Sequence, residues 1–316
     1  MKRDCSIDFA AGLMIVSMIL MHIRFFSGSK WCSFLTDLFP FYMAWFYYKS
    51  GMFYKERNWS DTLKNGYSKL IRPFLIFSVV GFVLYLILNG TVNWKLSIKE
   101  FVMLGSFPGS QHLWFLVSLF LALCLFKLVR NYWWAIAALC VLLLLFHYNA
   151  KKHLVGFPIF GDIPYLWGNI MAGCLFMYCG YRLRKYQYLH FVFFVSLFLY
   201  AVMFMLCYSS VDMHTMNITV GGLQWYLFSI FGIVALNNLS KYIVKYVVSQ
   251  PLIYIGKYSL QFYIYHWFVI LCVCIVCKWL KMDVAAYILI LANLVLLPAI
   301  VELQKKCFAK RQSEDN

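Results

Sequence analysis

Apolar runs of about twenty residues follow one another along almost the whole chain, separated by short polar stretches. Each is near the length that an α-helix needs to cross a hydrocarbon core of ~30 Å. The pattern predicts ten spans: Ile7–Phe26, Phe34–Phe53, Pro73–Leu88, His112–Val129, Tyr132–Tyr148, Pro164–Tyr181, Tyr188–Tyr208, Ile218–Leu236, Tyr258–Leu280 and Val284–Leu303. Pro73 suits the first turn of its helix, where the missing N–H is not needed. A loop of about fifteen residues is expected ahead of Pro164. No inverted repeat and no low-complexity segment interrupts the series.

Within this apolar background the polar exceptions carry the information. Asp8 and His22 lie in the first span, fourteen residues apart. On a helix they fall within about 40° of each other and about 21 Å apart along the axis. His112 opens the fourth span and His266 lies eight residues into the ninth. Ser259, Tyr263 and His266 recur at helical spacing and make one polar stripe, which fits either a site or an interhelical hydrogen-bond seam. Ionisable groups in spans are costly and face a cavity or a polar partner. A neutral imidazole takes and returns a proton near neutral pH, as acid–base chemistry requires.

Composition agrees with the span pattern. The 316 residues are 63% hydrophobic and 13% charged, with mean hydropathy +0.73, where a soluble domain carries about a quarter charged residues. The expected fold is an all-α polytopic membrane protein of about ten transmembrane helices, a single domain over 1–316. The net charge of +16 is read as positive-inside bias rather than nucleic-acid binding. With ten spans and the N-terminus inside, twenty of the twenty-eight Lys and Arg fall on the cytoplasmic side. This predicts N-in and C-in. The run after Met1-Lys2-Arg3-Asp4 is too long for a typical signal peptide and lacks a cleavage site, so it is expected to stay as an uncleaved span. The eleven cysteines sit mostly in apolar runs and behave as small hydrophobes. Cys272 and Cys274 point about 200° apart on a helix, so no metal site and no disulfide framework is expected.

Five motifs then occur in order. They are SIDFAAGLMIVSMILMH (Ser6–His22), FYMAWFYYKSGMFYK (Phe41–Lys55), KLIRPF (Lys69–Phe74), HLWFLVSLF (His112–Phe120) and GKYSLQFYIYH (Gly256–His266). The ordered set resembles the membrane-bound acyltransferase 3 family, especially its branch similar to fucose 4-O-acetylases. The resemblance implies an integral membrane O-acyltransferase with no bound cofactor. It implies a co-substrate, acyl-CoA (usually acetyl-CoA), and an acceptor hydroxyl on a cell-envelope glycan or lipid-linked saccharide. It also implies a multi-pass protein of a bacterial inner membrane, surrounded by lipid.

On that resemblance His22 matches the catalytic histidine of the first span, as general base or transient acyl carrier, with Asp8 and His266 beside it in the catalytic set. Gln111, His112, Trp114, Ser259 and Tyr263 are expected at the acceptor. Lys69, Arg72, Arg182 and Lys257, at inner span ends, are expected to meet the acyl-CoA phosphates, although positive-inside bias alone would also place cations there. The chain departs from the family pattern at Ala11, where a cation is usual, at Tyr42 and at Ala44. Lys49 is the candidate replacement for that cation; the alternative is a lysine that snorkels to the cytoplasm. Two other functions use the same buried groups: a transporter or flippase, and a non-catalytic sensor on an acyltransferase scaffold. Oligomeric state is not legible in the sequence.

Overall fold

The computed structural model describes residues 4–152, 163–208, 211–218, 222–246 and 249–314. The chain enters through α1 (Cys5–Ser27), a 3₁₀ turn (Lys30–Ser33), α2 (Phe34–Leu38) and α3 (Tyr42–Met52). Next come α4 (Trp59–Gly66), a π-helical turn (Tyr67–Ile71), α5 (Arg72–Asn89) and α6 (Trp94–Leu104). A 3₁₀ turn (Gln111–Leu113) leads into α7 (Trp114–Val129), then α8 (Trp133–Lys152), α9 (Tyr165–Leu183) and α10 (His190–Leu206). A two-residue antiparallel ribbon pairs β1 (Val211–Asp212) with β2 (Asn217–Ile218). The chain ends in α11 (Gly222–Ile243), α12 (Gln250–Lys257), α13 (Ser259–Trp279) and α14 (Ala286–Glu314). Most of the loop expected before Pro164, residues 219–221 of the expected eighth span and the terminal Lys2 and Arg3 lie outside the described residues; Ile218, expected to open that span, is in β2 instead.

The helical class holds, with the small ribbon added. Among the described residues, five helical runs are long and apolar enough to cross a membrane: Cys5–Ser27, Trp59–Asn89, Gln111–Val129, Ser259–Trp279 and Ala286–Cys307. Trp133–Asn149 and His190–Leu206 are apolar but shorter. The expected second span, Phe34–Phe53, is not one helix. Pro40 separates α2 from α3, because proline lacks the amide donor and drives the preceding residue out of the helical region. The expected third span, Pro73–Leu88, matches α5 with Pro73 in its first turn, but continuous helix leads into it from Trp59. The π turn explains this. The Arg72 N–H reaches back five residues to the Tyr67 carbonyl, a widened turn that accommodates the proline ring.

The chain folds as two compact units. One comprises Met1–Phe39 with Ser240–Asn316, the other Pro40–Leu239. In the first, α1 is capped by Asp4, whose carboxylate accepts from the Ser6 amide at 2.9 Å, and ends at Gly28 with φ +68°. Helix α1 packs closely against α12. A Cβ on Gly12 would lie 2.0 Å from the Leu252 carbonyl oxygen, and one on Gly256 would lie 1.6 Å from that of Asp8. Glycine at both positions lets the two backbones touch. The Gly-x-x-Ser motif and the acid of the first span are therefore parts of one helix crossing.

In the second unit, α11 carries polar groups at both ends. Near its C-terminal end the Trp45 indole N–H donates to Asn237 Oδ1 at 2.9 Å. The Asn237 amide donates to Gln187 Oε1 at 3.3 Å, and Tyr48 Oη to the same oxygen at 3.2 Å. Asn238 donates to the Gln187 carbonyl at 2.7 Å. The other end of α11 is described with the site below.

Candidate active site

In the first unit α1 and α13 bring His22 and His266 together, 244 residues apart in sequence, with His22 Nδ1 2.7 Å from His266 Nε2. The rings lie 10° from parallel with centroids 4.9 Å apart. A nitrogen–nitrogen contact that short means they meet edge to edge in a common plane through the hydrogen bond. Trp267 stands edge-on to His22 at 5.0 Å, and Phe26 packs on Trp267 at 5.2 Å. His266 is fully buried and His22 half-buried.

The tautomers follow from the partners. His266 Nδ1 lies 2.7 Å from the Tyr263 carbonyl oxygen and 3.2 Å from that of Phe262. Carbonyls only accept, so Nδ1 of His266 carries the proton and its Nε2 is the acceptor. Nδ1 of His22 must then donate to it, which puts the basic lone pair of His22 on Nε2. The helix backbone thus sets the tautomer of one imidazole, and that imidazole sets the other, the arrangement used to orient a general base.

Of the polar stripe on α13, Tyr263 contributes its main-chain carbonyl to this relay, and its ring lies 6.2 Å from that of His266. Ser259 opens α13 and is half-buried. Asp8 is buried in the first turn of α1, with its carbonyl against Gly256. One continuous helix separates it from His22 by about 21 Å, so Asp8 and the histidine pair do not act on the same atoms. Ala11 is wholly buried, and Lys257 lies over the Tyr258 ring at 5.4 Å.

In the second unit Gln111, His112 and Trp114 share the turn that starts α7, with His112 and Trp114 buried. Gln111 hydrogen-bonds the Glu100 carboxylate of α6; burial raises that carboxyl above its usual range and the bond opposes the rise. The Trp114 ring lies 5.9 Å from that of His214, tilted by 31°. His214 sits in the turn between β1 and β2. Asp212 holds this turn by accepting from the His214 amide at 3.0 Å and the Thr215 hydroxyl at 2.7 Å. Burial pulls the His214 imidazole below its ordinary range, against the opposing effect of Asp212. Sequence reasoning missed His214, Asp212 and Glu100, because nothing local marks two polar residues of a short connection as neighbours of a tryptophan a hundred residues away. Lys69 lies in the π turn with Arg72 at its end, both exposed. Arg182 is exposed, with its guanidinium 6.0 Å from the Tyr178 ring, and Lys49 is half-buried over Trp45 at 5.2 Å. Lys127, which charge counting treats only as an inner-side cation, is a structural tie. Its buried amine donates to the Arg57 carbonyl and, at 3.1 Å, to Thr62 Oγ1.

The start of α11 differs from its end. Five buried side chains of α8, α9 and α11 have no hydrogen-bonding partner among the described residues. They are His147 (both ring nitrogens), Asn169 (both amide atoms), Trp225 (the indole N–H), Tyr226 and Ser229 (the hydroxyls). Leaving a buried polar group unpaired costs about 1–3 kcal/mol. Five such groups together approach the whole stability of an ordinary fold.

A family model described as an acyltransferase domain, that of acyltransferase 3, matches residues 6–300, which include both histidines and all five motifs. No curated protein and no solved structure gives a significant match. With its apolar helices and a match over nearly its whole length, the chain belongs to the acyltransferase 3 family of membrane acyltransferases.

Proposed function

We propose that the protein is an O-acyltransferase of a bacterial inner membrane, akin to the fucose 4-O-acetylase-like branch, and that His22 is its general base. The observation that carries this reading is the relay from the Tyr263 carbonyl through His266 to His22. An acceptor hydroxyl gives its proton to Nε2 of His22 as its oxygen attacks the thioester carbonyl carbon of acyl-CoA, with acetyl the expected group. The tetrahedral intermediate collapses with loss of the CoA thiolate, which takes the proton back from His22. The Nδ1–H of His22 stays bonded to His266 throughout, so the transient imidazolium keeps its acceptor.

The acceptor is a glycan or lipid-linked saccharide. Within the first unit, Ser259 and Tyr263 stand on the helix of His266 and serve the acceptor. Within the second unit, Gln111, His112 and Trp114, with the Asp212-braced turn and its His214, form a polar and aromatic cluster that suits a saccharide. Lys49, Lys69, Arg72 and Arg182, all of the second unit, are the cations that suit the CoA phosphates. In the first unit Lys257 follows Gly256, which packs on Asp8. The topology is ten spans with both termini cytoplasmic.

Purified protein with acetyl-CoA and a panel of glycosides tests the reading: transfer is expected from the native chain and absent from His22→Ala, with both equally folded. Transfer by His22→Ala would reject His22 as the base. The helix break at Pro40 is the feature on which a transporter would draw. Substrate flux without acyl-CoA consumption would select that function instead.

A further inference from the structure

The connection between α5 and α7 folds back along α5, within the second unit. From Pro73 to Asn89 the chain carries no charged residue, which suits a hydrocarbon core. Helix α6 runs in the opposite direction beside this stretch. Trp94 at its start meets Phe82, with ring centroids 5.4 Å apart, and Phe101 near its end approaches Phe74 at 6.5 Å. The loop that follows also stays against α5. A Cβ on Gly81 would lie 2.6 Å from the Gly109 carbonyl oxygen, and Ser106 and Ser110 are wholly buried. Protein cover of this kind is what irregular backbone needs at membrane depth. The eleven residues of α6 reach about 16 Å, half of a ~30 Å core.

The outward side of α6 is divided in two. Trp94, Ile98 and Phe101 fall within about 60° of one another and make an apolar strip. Trp94 is 64% exposed and Ile98 61%. The strip lies toward α5, where Val79 and Val83 are exposed as well. Lys95 and Lys99 stand one turn apart on the adjoining strip, both exposed. Among the described residues no carboxylate pairs with either lysine. The one acid of α6, Glu100, points inward and hydrogen-bonds Gln111.

We propose that α6 is a half-length helix set beside α5 in the lipid, and that Lys95 and Lys99 clasp the phosphate of an anionic phospholipid. An apolar strip that continues the exposed face of α5 is costly in water, and lipid covers it. Two unpaired cations beside that strip are costly in lipid until an anion reaches them. The headgroup phosphate is that anion: the lysine stems extend along apolar surface with the ammonium groups at the headgroup level. The acyl chains lie on Trp94, Ile98 and α5. Like charges one turn apart repel, and one phosphate between them removes the repulsion. Phosphatidylcholine brings its own cation to the same place, whereas phosphatidylglycerol brings only the negative charge, so the pair prefers the latter. The lipid braces from behind the helix whose Glu100 holds Gln111.

The test uses the full chain in phosphatidylcholine vesicles that contain a minor share of brominated phosphatidylglycerol or, at the same mole fraction, brominated phosphatidylcholine. Bromine quenches tryptophan fluorescence on contact, and the difference between the native chain and Trp94→Phe isolates the signal of Trp94. That signal is expected to show about tenfold preference for phosphatidylglycerol, as two lysines at a lipid surface provide. In Lys95→Gln/Lys99→Gln, quenching of Trp94 is expected to persist and the preference to vanish. In Lys95→Arg/Lys99→Arg both are expected to persist, because the charge is kept. No quenching of Trp94 by either lipid would overturn the placement of α6 in lipid. Equal quenching by both lipids in the native chain would overturn the phosphate clasp. So would a preference that survives Lys95→Gln/Lys99→Gln or is lost in Lys95→Arg/Lys99→Arg.

Discussion

The two ends of α11 treat the same kinds of residue in opposite ways. At one end Asn237, Asn238, Gln187, Tyr48 and Trp45 close a hydrogen-bond network. At the other, Asn169, Trp225, Tyr226, Ser229 and His147 are as deeply buried and have no hydrogen-bonding partner among the described residues. Both clusters sit among apolar helices, where no bulk water relieves an orphaned group. The first cluster holds helices together, because each donor has an acceptor on another element. The second weakens the packing, because each buried polar group without a partner costs stability. The histidine pair of the first unit is a third case: its hydrogen bonds are directed along a chain that ends in a lone pair.

The contrast is testable from its strongest point to its weakest. Replacing His22 by Ala removes the end of the directed chain and is expected to cost about 10²–10⁴ in acyl transfer, the usual range for a general base; rates on solubilised protein measure it. Replacing Asn237 by Leu orphans the Trp45 N–H and strips Gln187 of a donor. A loss of about 2–4 kcal/mol is expected from denaturant or thermal unfolding, and an unchanged stability would erase the distinction between the ends of α11. Replacing His266 by Leu leaves His22 in place but frees its tautomer. Transfer is expected to fall about tenfold through kcat with acceptor KM unchanged, roughly 1.4 kcal/mol, and Gln at this position, which also accepts from Nδ1–H, restores part of it. Ser229→Ala has the smallest effect, a gain of about 0–1 kcal/mol in stability, and a clear loss would move Ser229 into the satisfied group.

Much of the architecture was legible because membrane spans are written in runs of apolar residues. The α1, α7 and α13 boundaries fall within a few residues of expectation, since their ends carry Asp4, Gly28, the His112 turn and Ser259. The second span is not one helix, because hydropathy is blind to Pro40, whose backbone effect breaks a run that remains apolar. The third span matches α5, but hydropathy does not show the π turn that carries helix into it from Trp59. The family resemblance rested on five ordered motifs and holds over residues 6–300. One overlooked signal was present: Gly168-Asn169, an amide inside an apolar helix, is expensive enough to require an explanation.

The sequence by itself determined the helical membrane class, the family, and the two helices that carry His22 and His266, because each follows from local periodicity or ordered motifs. Only the tertiary structure decided which nitrogen of His22 is basic, since that depends on a carbonyl of α13 acting through a second ring. It alone showed why Gly12 and Gly256 must be small, and which of the buried polar residues are paired. Hydrogen bonds within an apolar fold are decided by contacts between residues as much as 244 positions apart, and no local pattern records them.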